Sequence, residues 1–378
     1  MDLSTEIGDL LAYGHSKTDI ASRLGVARST VIRHAKGMDK PNKTAADVVK
    51  ADIQTASGRD QLRDSQERYR VLLNEHTNLQ RLHAAALGVV DDWKPVEAIK
   101  PRGKGQGSES TALLIASDWH CEEVVDAGTV SGLNTYSPEI AEQRAASFWR
   151  HGLQLVEMAR SRSRVDTVVV GLLGDFISGY IHDELVEVNA MSPTQAIVFA
   201  GEMIESGLRM LIKDGGFKRI VAVCCVGNHG RTTHKRRVAT NIQNSYEWLL
   251  YYMLRRQLPE IEWQLPTGYH NLFRVYDTEI RFHHGESVRY QGGVGGMTIP
   301  LNKAISQWNR ARKADLDILG HWHQRISTRE AIVNGSLIGY SSFAVEIKAA
   351  YEPPAQSFAM IHPRHGKTVE APIFVEGR

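Results

Sequence analysis

The feature that most constrains this sequence is a series of short apolar runs that each lead into aspartate, asparagine or histidine. Four runs have the length and apolar content of buried strands, and a fifth run is a further strand candidate. The four are residues 111–117, 167–173, 219–226 and 316–319, and the fifth is residues 279–284. Helical patterns lie between several of them, for example at residues 140–159 and 193–211. This alternation predicts an α/β fold with buried central strands.

The polar blocks at the ends of these runs contain residue types that bind metals. They read Asp118-Trp119-His120, Gly174-Asp175, Gly227-Asn228-His229, His283-His284-Gly285 and Gly320-His321-Trp322-His323. In an open α/β sheet the carboxyl ends of the strands face one crevice, so five strand ends could deliver their side chains to one place. Carboxylate oxygen and neutral imidazole together favour manganese, iron or zinc over calcium. The blocks therefore predict a site for two divalent ions, with one carboxylate able to bridge them.

This order of blocks, DxH, GD, GNH, HG and GHxH, resembles the calcineurin-like metallophosphoesterase superfamily over residues 112–376. The resemblance implies a two-sheet α/β sandwich flanked by helices, and hydrolysis of phosphoesters with two divalent metal ions. Mn²⁺ is the expected cofactor, with Fe²⁺ or Zn²⁺ as alternatives. A hydroxide that bridges the ions would attack phosphorus.

The resemblance also implies roles for individual residues. The first ion would be bound by Asp118, His120, Asp175 and His323. The second would be bound by Asp175, Asn228, His284 and His321, so that Asp175 bridges the two ions. His229 stands where the family places its catalytic histidine, which is not a ligand. Because the family's ligand histidine directly precedes the glycine, we expect His284 to bind metal and His283 to point to the opposite side.

Two departures from the family pattern concern the surroundings of the site. GNH is often followed by an acidic residue, whereas here Gly230 follows, which removes a carboxylate that could support His229. After Asp175, the segment His182-Asp183-Glu184 could reach the site or could cap the following helix.

A basic run follows the GNH block. Arg231, His234 and Lys235 in this run are candidates for binding substrate phosphates, although such a run is more often a solvated surface.

Residues 1–40 predict a small helix-turn-helix domain. One helix is expected at residues 16–24 and a second at residues 27–35, with Gly25 in the turn between them. The pair resembles the helix-turn-helix of resolvases and of small phage or bacterial regulators, in which the second helix enters the major groove. The candidate DNA-binding residues are Arg28, Ser29, Thr30 and Arg33. The alternative is a helical hairpin that serves in oligomerisation or protein binding.

We expect three segments in total: the helix-turn-helix module at residues 1–40, a helical connector and flexible linker at 41–109, and the dimetal phosphoesterase domain at 110–378. The predicted connector helix at residues 60–87 could form a homodimer, although His76 and His83 interrupt its apolar stripe.

Composition limits the remaining classes. The formal net charge is +2, so any nucleic-acid surface must be local. The three cysteines show no CxxC spacing, which argues against a disulfide framework and favours a reducing cytoplasm. Neither a signal peptide nor a membrane-spanning run is evident, so we expect a cytoplasmic protein of a bacterial or phage-infected cell, without a membrane partner.

The functional expectation is a DNA-directed phosphodiesterase or nuclease. The layout resembles phage or prophage exonuclease-like proteins related in motif to the SbcD nuclease subunit. One alternative is a phosphatase or phosphodiesterase that acts on phosphoproteins or small nucleotides. Another is a DNA-binding assembly protein whose phosphoesterase domain is inactive, although the complete ligand set argues against it.

Overall fold

The computed structural model describes residues 2–37, 95–101, 109–289 and 296–376. The chain divides into two compact units, Met1–Leu82 and His83–Arg378. The predicted connector helix at residues 60–87 lies outside the described residues, as does most of the predicted linker.

The N-terminal unit contains three short helices, α1 (Leu3–Ala12), α2 (Lys17–Leu24) and α3 (Arg28–His34). Ser16 caps α2 by accepting a hydrogen bond from the Asp19 amide, and Gly25 ends the helix with a left-handed φ of 65°. A small core holds the helices together, with Ile7, Ile20 and Val31 fully buried. The two helices predicted from the sequence are confirmed to within one residue at each end.

The larger unit is built on two β-sheets. The six-stranded sheet has the order β11-β10-β1-β2-β3-β4, in which β1 to β4 are parallel and β10 is antiparallel to both of its neighbours. Its strands are β1 (Glu109–Ala116), β2 (Arg164–Leu172), β3 (Arg219–Cys224), β4 (Glu262–Gln264), β10 (Ala355–His362) and β11 (Gly366–Phe374).

The five-stranded sheet has the order β5-β6-β7-β9-β8, with β6, β7 and β9 parallel. Its strands are β5 (Asn271–Val275), β6 (Thr278–Phe282), β7 (Leu316–Leu319), β8 (Ile326–Ser327) and β9 (Ala331–Val333). The main core lies between the two sheets, where Leu113 and Val221 of the first sheet share one cluster with Ile280 and Ile318 of the second. The two-sheet sandwich expected from the sequence is therefore what this unit forms.

Helices flank the sandwich. They are α4 (Pro138–Arg160), α5 (Asp183–Val188), α6 (Pro193–Asp214), α7 (Tyr246–Gln257), α8 (Thr298–Ala311) and α9 (Ser342–Glu346), with 3-10 turns at Ala127–Val130 and Ile242–Asn244. Gly207 of α6 lies directly against the Trp149 ring of α4, which brings these two helices together. On α8, Leu301 and Ile305 pack against Leu319 and Val333 of the five-stranded sheet. Within the described ranges, none of the helices is long and apolar enough to cross a membrane.

All five strands predicted from the apolar runs are present, but four of them end one or two residues earlier than predicted. β3, for example, ends at Cys224, where its pairing with Leu172 of β2 ends. The polar blocks consequently begin in loops rather than on strands, and their side chains are free to turn toward a common cavity.

Candidate metal centre

The five polar blocks meet at one end of the sandwich. Three of them follow β1, β2 and β3, which are parallel neighbours in the six-stranded sheet, and two follow β6 and β7, parallel neighbours in the other sheet. In each of the two sheets, the carboxyl ends of these parallel strands lie at the same edge, and the loops at these two edges form the candidate site.

Three groups of side chains lie close enough to share metal ions, with one ligand atom from each residue within 4.8 Å of the others in its group. The groups are Asp118, His120 and His323; His120, Asp175 and His229; and Asp175, His284 and His321. Asp175 and His120 each belong to two groups, so the three groups form one continuous centre. Its buried carboxylate oxygens and imidazole nitrogens fit two neighbouring divalent ions with Asp175 between them.

The ligand atoms approach one another closely around His284. Its Nε2 lies 2.8 Å from Asp175 Oδ2 and 3.1 Å from Asn228 Oδ1. On the other side of the centre, the Nε2 atoms of His120 and His323 are 3.2 Å apart. Two facing imidazole nitrogens can share at most one proton, and a cation between them would satisfy both lone pairs.

Partners outside the centre fix the orientation of three imidazoles. Nδ1 of His284 donates to the Leu173 carbonyl, and Nδ1 of His229 donates to the Ser178 carbonyl, both at 2.9 Å. Nδ1 of His120 lies 2.9 Å from the Ser178 hydroxyl. A carbonyl can only accept, so the first two rings carry a proton on Nδ1 and direct Nε2 toward the centre. This arrangement is typical of histidines that bind metal.

The backbone is strained where the ligands sit. Among the residues that the structure describes, eight other than glycine have positive φ, and five of these are predicted ligands. The five are Asp118 (56°), His120 (47°), Asp175 (52°), His321 (74°) and His323 (54°). Backbone strain of this kind persists only when the surrounding structure holds it in place, and it concentrates at functional sites.

Burial and charge oppose each other at the centre. Burial disfavours both charged forms of the Asp175–His284 pair, but their mutual attraction outweighs it, raising the pKa of His284 to about 10 and holding the pKa of Asp175 well below its usual range. Burial, with neighbouring imidazoles adding to it, holds the pKa values of His120 and His321 well below normal. These two rings are therefore neutral, which is the form that binds metal.

His229 lies at the edge of the centre. Its ring centroid is 4.8 Å from that of His120, and its backbone amide donates to Asp175 Oδ1 at 2.8 Å. The exposed ring of His182 also lies nearby, with its centroid 6.1 Å from that of the His229 ring. Asp183, by contrast, starts the first turn of α5, where an acidic side chain favours the helix N-terminus. The polar segment after Asp175 therefore both approaches the centre and begins a helix.

The predicted substrate-binding residues have different surroundings. The Arg231 guanidinium donates to the carbonyls of Thr233 (3.0 Å) and Asn228 (2.9 Å), so it holds its own loop together. His234 and Lys235 are exposed. A role for these three residues in phosphate binding stays a prediction.

His283 points away from the centre, as expected. It is fully buried, its Nε2 lies 3.5 Å from Asp317 Oδ1, and its ring is 4.9 Å from that of Trp308 on α8.

Sequence reasoning missed several buried residues that support the ligands. Glu122 accepts hydrogen bonds from the amides of Ser178 (2.8 Å) and Gly179, and burial raises its pKa to about 7. Asn334 donates to the Ser117 hydroxyl, which in turn donates to Asp118. No spacing in the sequence could have indicated these contacts, because they join segments far apart in the chain.

The predicted DNA-binding residues all lie on α3. Arg28, Ser29 and Arg33 are exposed, and Thr30 is half-buried. The side chain of Ala27 provides no cap at the start of α3.

No protein-family model matches the chain, and no curated protein matches it in sequence. Three similar solved structures are wild-type Vps29 of Entamoeba histolytica complexed with Zn²⁺, Vacuolar Protein Sorting 29 of Cryptosporidium parvum, and YfcE, a phosphoesterase from E. coli. The first is 11% identical, with 69% of this chain and 99% of that chain covered and a TM-score of 0.28. The second is 12% identical (70% and 97% covered, TM-score 0.28), and the third is 12% identical (69% and 99% covered, TM-score 0.26). At these identities and TM-scores, neither an activity nor a ligand transfers to this chain.

Proposed function

We propose that this protein is a two-metal phosphodiesterase that acts on DNA. The observation that carries the proposal is the continuous centre in which Asp175 and His120 link three groups of ligand side chains, with His229 at its edge. Oxygen and nitrogen ligands arranged around a shared carboxylate are what two-metal hydrolysis of phosphoesters requires.

The residues of the centre would have two separate roles, metal binding and proton transfer. The seven predicted ligands would hold two divalent ions, which supply Lewis acidity toward a phosphoryl oxygen. His229 would transfer a proton at Nε2, because its Nδ1 is occupied by the Ser178 carbonyl. Burial lowers the pKa of His229, and the negative charge of a bound phosphate would act in the opposite direction and favour the imidazolium. In that form the ring can donate to the leaving oxygen.

DNA as the substrate is supported by the surface of α3. Its exposed side chains combine Arg28 and Arg33 with the hydroxyl of Ser29, a set suited to base edges and phosphates in the major groove. Tethering the catalytic domain to such a module would raise its effective concentration near DNA even if the module binds weakly.

The proposal predicts Mn²⁺-dependent degradation of DNA. Purified protein is incubated with single- and double-stranded oligonucleotides, a small model phosphodiester and a phosphopeptide, with Mn²⁺ or with a chelator. We expect cleavage of DNA and of the model diester with Mn²⁺, and none with the chelator. Cleavage of the diester or phosphopeptide without DNA cleavage would contradict the DNA assignment, and inactivity on every substrate would contradict the phosphoesterase itself.

Variants that remove the same charge from different helices can distinguish DNA binding by α3 from catalysis at the metal centre. Replacing Arg28 and Arg33 with alanine should weaken binding to long duplex DNA and slow its degradation by about 10-fold or more, at the roughly 1–3 kcal/mol expected of each good base contact. Turnover of the model diester should stay unchanged. Lys17 and Arg23 on α2 provide a control that removes the same charge from a different helix. Equal losses of DNA binding and degradation in the two double variants would show that α3 contributes only through general electrostatic attraction.

A further inference from the structure

The N-terminal turn of α7 contacts two loops, one containing Asp175 and the other containing Asn228. Glu247 in this turn is fully buried, and its carboxylate accepts hydrogen bonds from the amides of Phe176 (2.8 Å) and Gly227 (2.6 Å). Phe176 directly follows Asp175, and Gly227 directly precedes Asn228. One carboxylate therefore joins the backbones of two loops, each beside a predicted ligand.

A second side chain on the same face of α7 extends this connection. Tyr251 lies four residues after Glu247, one helical turn away, and its hydroxyl donates to the Cys225 carbonyl at 2.8 Å. The backbone amide of Tyr246 also donates to the Gly230 carbonyl at 2.8 Å. The start of α7 is thus fixed to the whole segment from Cys225 to Gly230, which contains Asn228 and His229.

Gly230 leaves the space that Glu247 occupies. A Cβ added at Gly230 would lie 2.9 Å from Cγ and 3.0 Å from Cδ of Glu247, so the Glu247 side chain would have to shift. Gly230 does not have a positive φ, so its backbone would accept another residue. The neighbouring Glu247 side chain therefore explains why glycine fits at position 230.

We propose that Glu247 is a positioning residue that holds Asp175 and Asn228 in place for metal binding, acting through the amides of Phe176 and Gly227. This inference rests on the proposed metal centre. A carboxylate suits the position because both of its oxygens accept, whereas the amide of a glutamine would direct N–H groups at one of the two backbone N–H donors.

The first test is Mn²⁺ binding to the full-length Glu247→Gln protein, measured by calorimetry and by the electron paramagnetic resonance spectrum of the bound ions. Outer partners of metal ligands typically contribute 10- to 100-fold in affinity, so we expect the dissociation constant to rise by about that factor, with an altered spectrum. Glu260→Ala, an exposed glutamate just after α7, is the control and should bind as the wild type does. Circular dichroism and thermal melting monitor the fold.

The second test moves the carboxylate. Glu247→Ala removes the carboxylate and should weaken Mn²⁺ binding. Gly230→Glu alone places a second carboxylate against that of Glu247 and should also lower the affinity for Mn²⁺. Combined in one chain, the two changes restore one carboxylate to the same space, and we expect Mn²⁺ affinity to recover by at least about 10-fold over Glu247→Ala. Such recovery from two individually harmful changes would show that the carboxylate itself is what the centre needs.

Each result bears on the inference. Mn²⁺ affinity of Glu247→Gln within about twofold of wild type would overturn it. Loss of the fold in Glu247→Gln, or a folded double variant without recovered affinity, would assign Glu247 a purely structural role and would overturn it as well. Absence of Mn²⁺ binding in the wild-type protein would instead overturn the proposed function, and the inference with it.

Discussion

Replacing Asp175 with asparagine is expected to abolish Mn²⁺-dependent hydrolysis and to weaken binding of both ions. Asp175 belongs to two of the three ligand groups, and its Oδ2 lies 2.8 Å from His284 Nε2. Asparagine tolerates the left-handed backbone at this position (φ 52°) and preserves the shape of the side chain, so the change mainly removes the negative charge. We expect turnover to fall by about 10³-fold or more, which corresponds to the several kcal/mol that metal ions contribute to such reactions.

The measurement combines steady-state kinetics on a model diester with metal analysis of the purified protein. Asp166→Asn is a matched control, because Asp166 lies on β2, the strand that precedes Asp175, and pairs with Lys218 away from the centre. An Asp175→Asn protein that retains two ions and wild-type turnover would refute the role of Asp175 as a shared ligand.

Replacing His229 with alanine is expected to separate chemistry from metal binding. Nδ1 of His229 is bonded to the Ser178 carbonyl, and we assign Nε2 to proton transfer rather than to a metal. Loss of a general acid typically costs 10²- to 10⁴-fold in rate, so we expect turnover to fall by about that factor while both ions stay bound. The rate of a substrate with a strongly acidic leaving group should fall less, because such a group needs little protonation.

The outcome distinguishes two roles that the geometry brings close together, since His229 also lies within reach of His120 and Asp175. Metal loss in parallel with activity would make His229 a ligand and would refute the assigned role. Exposed His365, on the turn between β10 and β11, provides a histidine control that should change neither quantity.

The framework of the centre could be predicted from the sequence because its signals are local. Apolar runs of strand length marked β1, β2, β3, β6 and β7, and the polar blocks followed them directly. Neighbouring parallel strands end at the same edge of their sheet, so the proximity of Asp118 and Asp175 follows from the pairing of β1 with β2. The orientation of His283 away from the centre was also predicted, because the resemblance assigns the ligand to His284 and adjacent residues in an extended segment point to opposite sides.

The supports of the centre could not be predicted, because they depend on side-chain packing between segments far apart in the sequence. Nothing near Glu247 in sequence indicates that its oxygens accept hydrogen bonds from the Phe176 and Gly227 amides. Arg231 was predicted to contact substrate from its charge, yet its guanidinium binds carbonyls of its own loop. Charge and residue type in a sequence do not show which hydrogen bonds a side chain has already made.

The positive φ angles at Asp118, His120, Asp175, His321 and His323 restrict which amino acids evolution can place there. Outside glycine, aspartate, asparagine and histidine are the residues that adopt this backbone conformation most readily. A glutamate or cysteine could offer a donor atom but would add conformational strain before any ion arrived. The backbone thus favours carboxylate and imidazole ligands over a thiolate at these five positions. The path of the chain, fixed by the sheets beneath it, therefore contributes to the choice of ligands at the proposed metal centre.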